Sequence, residues 1–425
     1  MLLSVGTEMK SVLYSTVAVH RHAQEMARSI HEVGCLRLWH TGWIHAPGRS
    51  WLGSAWEAAA AVVPPMRKVV ARRTLVDFGK VPLQMRWKTE MVRIAAENFP
   101  GTRRLGHRIW EWHEHQLARE AANLLRRGKF TRYLGIEHGA LEALRECKRL
   151  GLQSCLVFTS PHHSFWEKWA KIGDPRFRPG SHLGSNGERW MRRCYDRVDE
   201  EMELADLIRT NSELVKSSLI EAGVNPAKIV SVPLGADVAG MKPPVPWQTG
   251  RNLRFIVSGQ VSPRKGSLLL LQAWKELNPA EAELHFYGGV HLPAEKLAGL
   301  PKSVVFHGNV GPKEMGEAYA QSQVLVFPTL CDGFGMVVPE AMVQGCAVLT
   351  TRNAGAADWI GEGVNGWVVE AGSVHALKDG LERVFSSRNR LEEMRAEAQE
   401  TARSHTWDDF RVRLRAALTE HGFLN

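Results

Sequence analysis

The sequence predicts an α/β protein built from two parallel-sheet domains. Three observations carry that expectation. Apolar runs of strand length alternate with helical patterns through both halves of the chain, the signature of repeated βαβ units. The stretch AGMKPPVPWQTG at 239–250 holds three prolines between glycines and reads as a linker. A length of 425 residues, 44% hydrophobic and 23% charged, is ample for two cores.

The elements follow in order. VLYSTV (12–17) reads as the first strand and HRHAQEMARSIHEVG (20–34) as its helix. Residues 42–130 are rich in Trp and Arg and yield no clear order; Trp39, Trp43, Trp51, Trp56, Trp87, Trp110 and Trp112 suit core packing, sugar stacking or a membrane interface. RYLGIEHG (132–139), GALEALRECKRLG (139–151), SCLVFTS (154–160), LADLIRTNS (204–212) and ELVKSSLIEAG (213–223) continue the alternation. IGDPRFRPGSHLGSNGERW (172–190) reads as a long loop. In the second half LRFIVSG (253–259), AELHFYGG (282–289), VVFHGNV (304–310), VLVFPT (324–329), AVLTT (347–351) and NGWVVE (365–370) read as strands. SLLLLQAWKEL (267–277), PKEMGEAYAQS (312–322), VVPEAMVQG (337–345) and VHALKDGLERVFSS (374–387) read as the helices between and after them, followed by helices at 390–404 and 407–421. The domains expected are 1–238 and 251–404, joined through 239–250, with 405–425 a helix packing back on the first domain.

Composition excludes several classes. Cys35, Cys147, Cys155, Cys194, Cys331 and Cys346 form no C-x-x-C pair, a poor disulfide or zinc framework that fits a reducing cytoplasm. The longest apolar patch, AWEAAAAVVPPM at 55–66, falls far short of the ~20 residues a membrane span needs. MLLSVGTEMK is too short in apolar length for a secretory signal. A soluble or peripheral protein is expected. Residues 1–250 carry 36 Lys and Arg against 25 Asp and Glu, whereas residues 251–425 carry 18 against 20. The basic first half suits an anionic lipid surface at the inner face of a membrane, or an anionic acceptor. Nucleic acid is not expected, because no helix-turn-helix, RNP-type or zinc-finger pattern occurs.

The chemistry concentrates in TLCDGFGMVVPEAMVQGCAV at 329–348. Loops at the carboxyl ends of parallel strands are where α/β sheets bind ligands. Asp332 and Glu340 stand eight positions apart across Gly333-Phe334-Gly335, and Pro339 suits a first helical turn. The N–H groups of Gly335, Met336 and Val337 open the helix, where anions are favoured. A phosphate joined to a sugar on each side fits that set. Each acid taken alone would serve equally as a cap or a helix-dipole partner. VSGQVSPRKGSLLLLQAW (257–274) adds Arg264-Lys265-Gly266 at another strand end, where a lysine can neutralise a diphosphate.

Together these residues resemble the C-terminal half of family 4 (group 1) retaining glycosyltransferases of the GT-B fold. The matches are Gly259, Lys265-Gly266, Gly288-Gly289, Val305 to Val310, Pro328, Gly333-Phe334-Gly335, Glu340-Ala341-Met342 and Gly345, within about 205–420. The resemblance implies two Rossmann-like domains facing across a cleft and transfer of a hexosyl group from a nucleoside-diphosphate sugar. It implies no metal and no cofactor beyond that co-substrate, and a glycan or lipid-linked acceptor. Lys265 and Arg264 would hold the leaving diphosphate, with Gln260 where the family has Arg. Glu340 would hold the ribose hydroxyls, Asp332 would orient the donor sugar, and the base would pack near His307 and Asn309. In the first domain the acceptor-side candidates are His162 and His163, with Glu137, His138, His20 and His22 at other strand ends. Asp332 and Asp358 each stand where the family has Glu. The loop VAVHRHAQ lacks the family's glycines. A phosphorylase, an epimerase, or a catalytically silent binder of glycan or anion would share this fold.

Overall fold

The computed structural model describes residues 10–17, 19–45, 70, 73–76, 79–98, 106–170, 172, 185–241, 243–247 and 252–424. Two sheets organise them, and every strand pairing within each is parallel. The first contains β1 (Val12–Thr16), β2 (Leu36–Thr41), β3 (Leu83–Met85), β4 (Arg132–Ile136), β5 (Gln153–Phe158), β6 (Leu207–Thr210) and β7 (Ile229–Ser231), in the order 3-2-1-4-5-6-7. The second contains β8 (Leu253–Ser258), β9 (Ala282–Tyr287), β10 (Val304–Gly308), β11 (Val324–Phe327), β12 (Ala347–Thr351) and β13 (Gly366–Val369), in the order 10-9-8-11-12-13. This is the doubly wound α/β architecture expected. Central strands are buried on both faces, as in β1, β11 and β12, so they read as continuous apolar runs.

Each sheet reverses its winding once, between β1 and β4 and between β8 and β11. A crevice opens at such a switch point, beyond the carboxyl ends of the strands. The two crevices face each other. Ser212, after β6, donates its hydroxyl to Gly333 O at 2.7 Å. Asp358 Oδ2 accepts from Glu213 N at 3.2 Å, tying the start of helix Glu213–Glu221 to the second domain.

The chain passes between the domains twice. Residues 243–247 run along the second domain, where buried Arg395 donates to Gly345 O at 2.7 Å and to Val245 O at 2.9 Å. After helix Leu391–Arg403 the chain returns at Thr406, which bridges Ala236 in parallel. Thr406 and Asp409 form a capping box that starts helix Trp407–Glu420. That helix lies on helix Arg21–Glu32 of the first domain through Arg411–Glu25 at 2.7 Å and Arg415–Glu32 at 2.8 Å.

Three local readings change. Between 42 and 130, β3 and the helices Trp87–Asn98 and Gly106–Arg126 supply order that the Trp- and Arg-rich pattern hid. Strand β2 lies just ahead of them and was also missed. The stretch 172–190 is not all loop: helix Ser185–Leu204 begins inside it, and 173–184 lie outside the described residues. Of the tryptophans, Trp39 and Trp43 are buried and Trp87 and Trp112 are exposed, while Trp51 and Trp56 lie outside the described residues.

Candidate active site

A cavity of about 1230 Å³ lies between the facing crevices. Its lining comes from the ends of β1, β4, β5, β6 and β7 on one side and from the loops after β8 and β11 on the other.

On the second-domain side, β8 ends at Ser258 and a short turn, Pro263–Lys265, follows. Gly266 closes the turn at φ +71°, and a Cβ there would stand 1.8 Å from Pro328 O. Only glycine lets this turn press against the end of β11. The two loops are then knit: Leu330 N donates to Arg264 O at 2.9 Å, and Arg264 Nη1 donates to Cys331 O at 3.1 Å. Lys265 Nζ forms an ion pair with Asp332 and lies 5.0 Å over the Phe327 ring. Burial lowers the Lys265 pKa, while Asp332 pulls it the other way. Arg264 stands 3.8 Å from the same carboxylate.

The Gly333-Phe334-Gly335 turn forms the seam. A Cβ on Gly333 would lie 1.9 Å from Thr159 O of the first domain. Gly335 has φ +89° and packs on Phe327. Arg264, Asp332, Gly335 and Met336 line the cavity, with Lys265 held against Asp332.

Other sequence-derived candidates are elsewhere. Glu340 sits on helix Val337–Val343, open to solvent but outside the cavity lining, and accepts the Tyr319 hydroxyl at 3.4 Å. Although one edge of its carboxyl meets solvent, the protein packed around the rest strips part of its hydration and pushes its pKa upward, with the Tyr319 hydrogen bond opposing the rise. Gln260 is exposed at the end of β8, and Val337 opens the short helix. His307 and Asn309 are exposed at the end of edge strand β10. The His307 ring stacks on Tyr287 at 4.1 Å, and its Nε2 lies 2.9 Å from His285 Nδ1. Gln260, His307, Asn309 and Glu340 therefore surround the carboxyl end of the sheet beside the cavity, not within it.

On the first-domain side the structure revises the acceptor-side candidates. His162 and His163 do not line the cavity; both turn to Asp199 on helix Ser185–Leu204. The wall at the end of β5 is Thr159, Ser160 and Pro161. Glu137, at the end of β4, accepts from Thr159 N at 2.8 Å and Thr159 Oγ1 at 2.5 Å. Burial drives its carboxyl up to about 7, with Thr159 holding it from rising further. His138 also lines the cavity, at the uncommon φ of +71°. Its N–H donates at 2.7 Å to buried Glu201, which also accepts from Ala140 N and Leu141 N.

His20 and His22 both reach the cavity. His22 Nε2 lies 3.1 Å from the fully buried Arg209, and burial together with that cation holds its pKa well down. An imidazole facing an arginine there accepts on Nε2 and carries its proton on Nδ1. Arg73, Glu90, Arg93, Glu114 and Trp166 also line the wall and carried no sequence signal, whereas Trp110, which joins them there, belongs to the tryptophan set considered for sugar stacking. Glu90 holds Arg73 at 3.0 Å and Arg93 at 2.7 Å.

The buried Glu137 gives a pH-dependent expectation. Its folded pKa exceeds its unfolded one, so its contribution to stability is full at low pH. That contribution is lost as pH rises from about 4.5 through about 7. The loss is on the order of 3 kcal/mol. Urea denaturation of wild type and Glu137→Gln at pH 5 to 8 should show the wild type losing stability relative to the variant across this window. Parallel curves would remove the buried acid from the balance.

Comparison with known proteins agrees with this fold. Residues 245–404 match the family model described as glycosyl transferases group 1. A D-inositol 3-phosphate glycosyltransferase of Corynebacterium glutamicum is 26% identical over 228 residues, covering 48% of this chain and 54% of that protein. A lipopolysaccharide 1,2-N-acetylglucosaminetransferase of Salmonella typhimurium is 26% identical over 154 residues, covering 32% and 40%. The chain thus spans about half the length of such curated relatives, or less. Among solved structures, the lipopolysaccharide outer core galactosyltransferase WaaB superposes with a TM-score of 0.61 at 14% identity, covering 97% of this chain and 100% of that one. Anabaena HepE in complex with UDP superposes at 0.59 and 14% identity, covering 96% and 100%.

Proposed function

The chain has the GT-B fold and carries a glycosyl transferases group 1 domain at residues 245–404, and on that basis we propose that it transfers a hexosyl group from a nucleoside-diphosphate sugar to an acceptor held by the first domain, with retention of anomeric configuration. The observation that carries this reading is the convergence of Arg264 and Asp332, with Lys265 held against Asp332, on one wall of a cavity whose opposite wall is Glu137, Thr159 and His22. In the proposed mechanism Lys265 and Arg264 stabilise the charge that develops on the leaving diphosphate, an electrostatic role that needs preorganised cations. Asp332 orients the sugar ring and Glu340 holds the ribose hydroxyls. His22, its tautomer set by Arg209, offers a neutral N–H donor to donor or acceptor oxygens.

The nucleotide subsite is tested first. Glu340→Ala should abolish the thermal stabilisation that UDP, GDP or ADP confers on the wild type, while the melting temperature of the free protein stays nearly unchanged. Equal stabilisation of both proteins by the nucleotide would remove Glu340 from ribose binding. NMR of the product anomer would separate retention from inversion.

For the acceptor, a glycan or a lipid-linked substrate at an anionic membrane surface follows from the same reading. Among the described residues no helix is long and apolar enough to cross a membrane. Trp87, Val92 and Trp112 are exposed on the helices beside the cavity, and the first domain carries the excess of Lys and Arg. Binding to anionic liposomes in flotation should therefore be seen at low salt and fade as salt rises. Absence of binding at low salt would favour a soluble acceptor.

A further inference from the structure

His162, His163 and Asp199 lie outside the cavity, and the transfer chemistry above leaves them unused. Their ligand atoms face one another. His162 Nε2 is 3.1 Å from Asp199 Oδ1, and His163 Nε2 is 2.9 Å from Oδ1 and 3.1 Å from Oδ2. All three groups lie within 4.8 Å of one another. Tetrahedral coordination with bonds of ~2.0–2.1 Å separates neighbouring ligands by about 3.3 Å. The two histidine–aspartate edges therefore already match such a site, and the edge between the two imidazoles lies within 4.8 Å. We propose that His162, His163 and Asp199 bind one divalent transition-metal ion of the zinc type, with water completing its coordination.

The surroundings suit a ligand set. His162 Nδ1 lies 2.7 Å from Ser164 Oγ, an outer hydrogen bond that can orient the ring and leave Nε2 for the ion. The His163 ring is held between His162, at 4.0 Å, and Tyr195, stacked at 4.2 Å and 12°. Glu167, one turn along helix His163–Ala170, adds a second negative charge close to His162. Two carboxylates and two neutral imidazoles balance a dication. The Asp199 side chain is 47% exposed, so an ion can enter from solvent. Imidazole nitrogen favours zinc, cobalt or nickel over magnesium or calcium.

The ion would fasten the turn after β5 to helix Ser185–Leu204. Thr159 on that turn lies against Gly333 of the second domain and forms part of the cavity wall. Its role is positional: it fixes one wall of the cleft without touching the sugar. This inference is independent of the transfer reaction, because binding is measured without substrate.

The test uses the full chain, freed of metal by chelation, and titrates it with ZnCl₂ by calorimetry and with CoCl₂ by visible absorption. The wild type should bind one equivalent and gain thermal stability, and MgCl₂ should not displace it. His163→Ala and Asp199→Asn should each weaken that binding at least roughly a hundredfold. Both change partly exposed side chains, and melting of the metal-free proteins checks that they fold. Asp199→Asn, which keeps the shape of the side chain, serves if His163→Ala does not fold. Failure of the wild type to bind an equivalent of Zn²⁺ would overturn the proposal. So would folded variants that bind Zn²⁺ and Co²⁺ as tightly as the wild type.

Discussion

Lys265→Ala should slow sugar transfer by about two to three orders of magnitude, the scale seen when one preorganised charge-stabilising donor is lost. Its effect has two parts. The cation is largely enclosed by protein and held against Asp332, which lines the cleft, so its removal takes away charge that solvent replaces poorly. Removal also uncovers Asp332, which then repels the diphosphate. The two parts separate in a double-mutant cycle. Lys265→Ala should weaken binding of the free nucleoside diphosphate, and adding Asp332→Ala should restore part of that affinity. The double variant should still turn over slowly, because the leaving group lacks its cation. Turnover by Lys265→Ala equal to wild type would take Lys265 out of the mechanism. Absence of any recovery in the double variant would mean that the ion pair does not govern the nucleotide subsite.

Asp332→Ala should depress transfer about a hundredfold or more, by a different route. Affinity for the free nucleoside diphosphate should stay within about threefold or tighten, because that ligand has no sugar and Lys265 is no longer shared. Asp332→Glu is the more informative change. A carboxylate displaced by one methylene meets other hydroxyls, a difference typically worth ~1–3 kcal/mol between competing substrates. Relative rates over a panel of UDP- and GDP-sugars should therefore reorder in Asp332→Glu. Loss of bare nucleotide affinity equal to the loss of transfer in Asp332→Ala would assign the residue to the nucleotide and not to the sugar.

The two acids illustrate what was legible. Their spacing across Gly333-Phe334-Gly335 marked a ligand loop, and the structure brings that loop to the cavity. Spacing did not reveal that Asp332 pairs with Lys265, 67 positions away, while Glu340 bonds Tyr319 beside the cavity. His162 and His163 show the opposite outcome. Following a strand end made them candidates for the cleft, yet their side chains turn to Asp199, and Thr159 and Ser160 face the cavity. A strand end is a local property; the direction of a side chain four or five residues beyond it depends on which helix packs alongside.

The sequence by itself determined the fold class of the protein and the alternation of strands and helices in its second half, and it marked the loops after β8 and β11 as candidates for holding a ligand. Those features rest on local periodicity, on glycine where φ is positive or backbones touch, and on charge beside them. Only the tertiary structure decided which loops meet. The order 3-2-1-4-5-6-7 brings the ends of β1 and β4 side by side although more than a hundred residues separate them, and the return of helix Trp407–Glu420 to the first domain completes the two-domain frame. Sheet order is set by the joint burial of distant apolar faces, a balance that no short stretch of sequence contains.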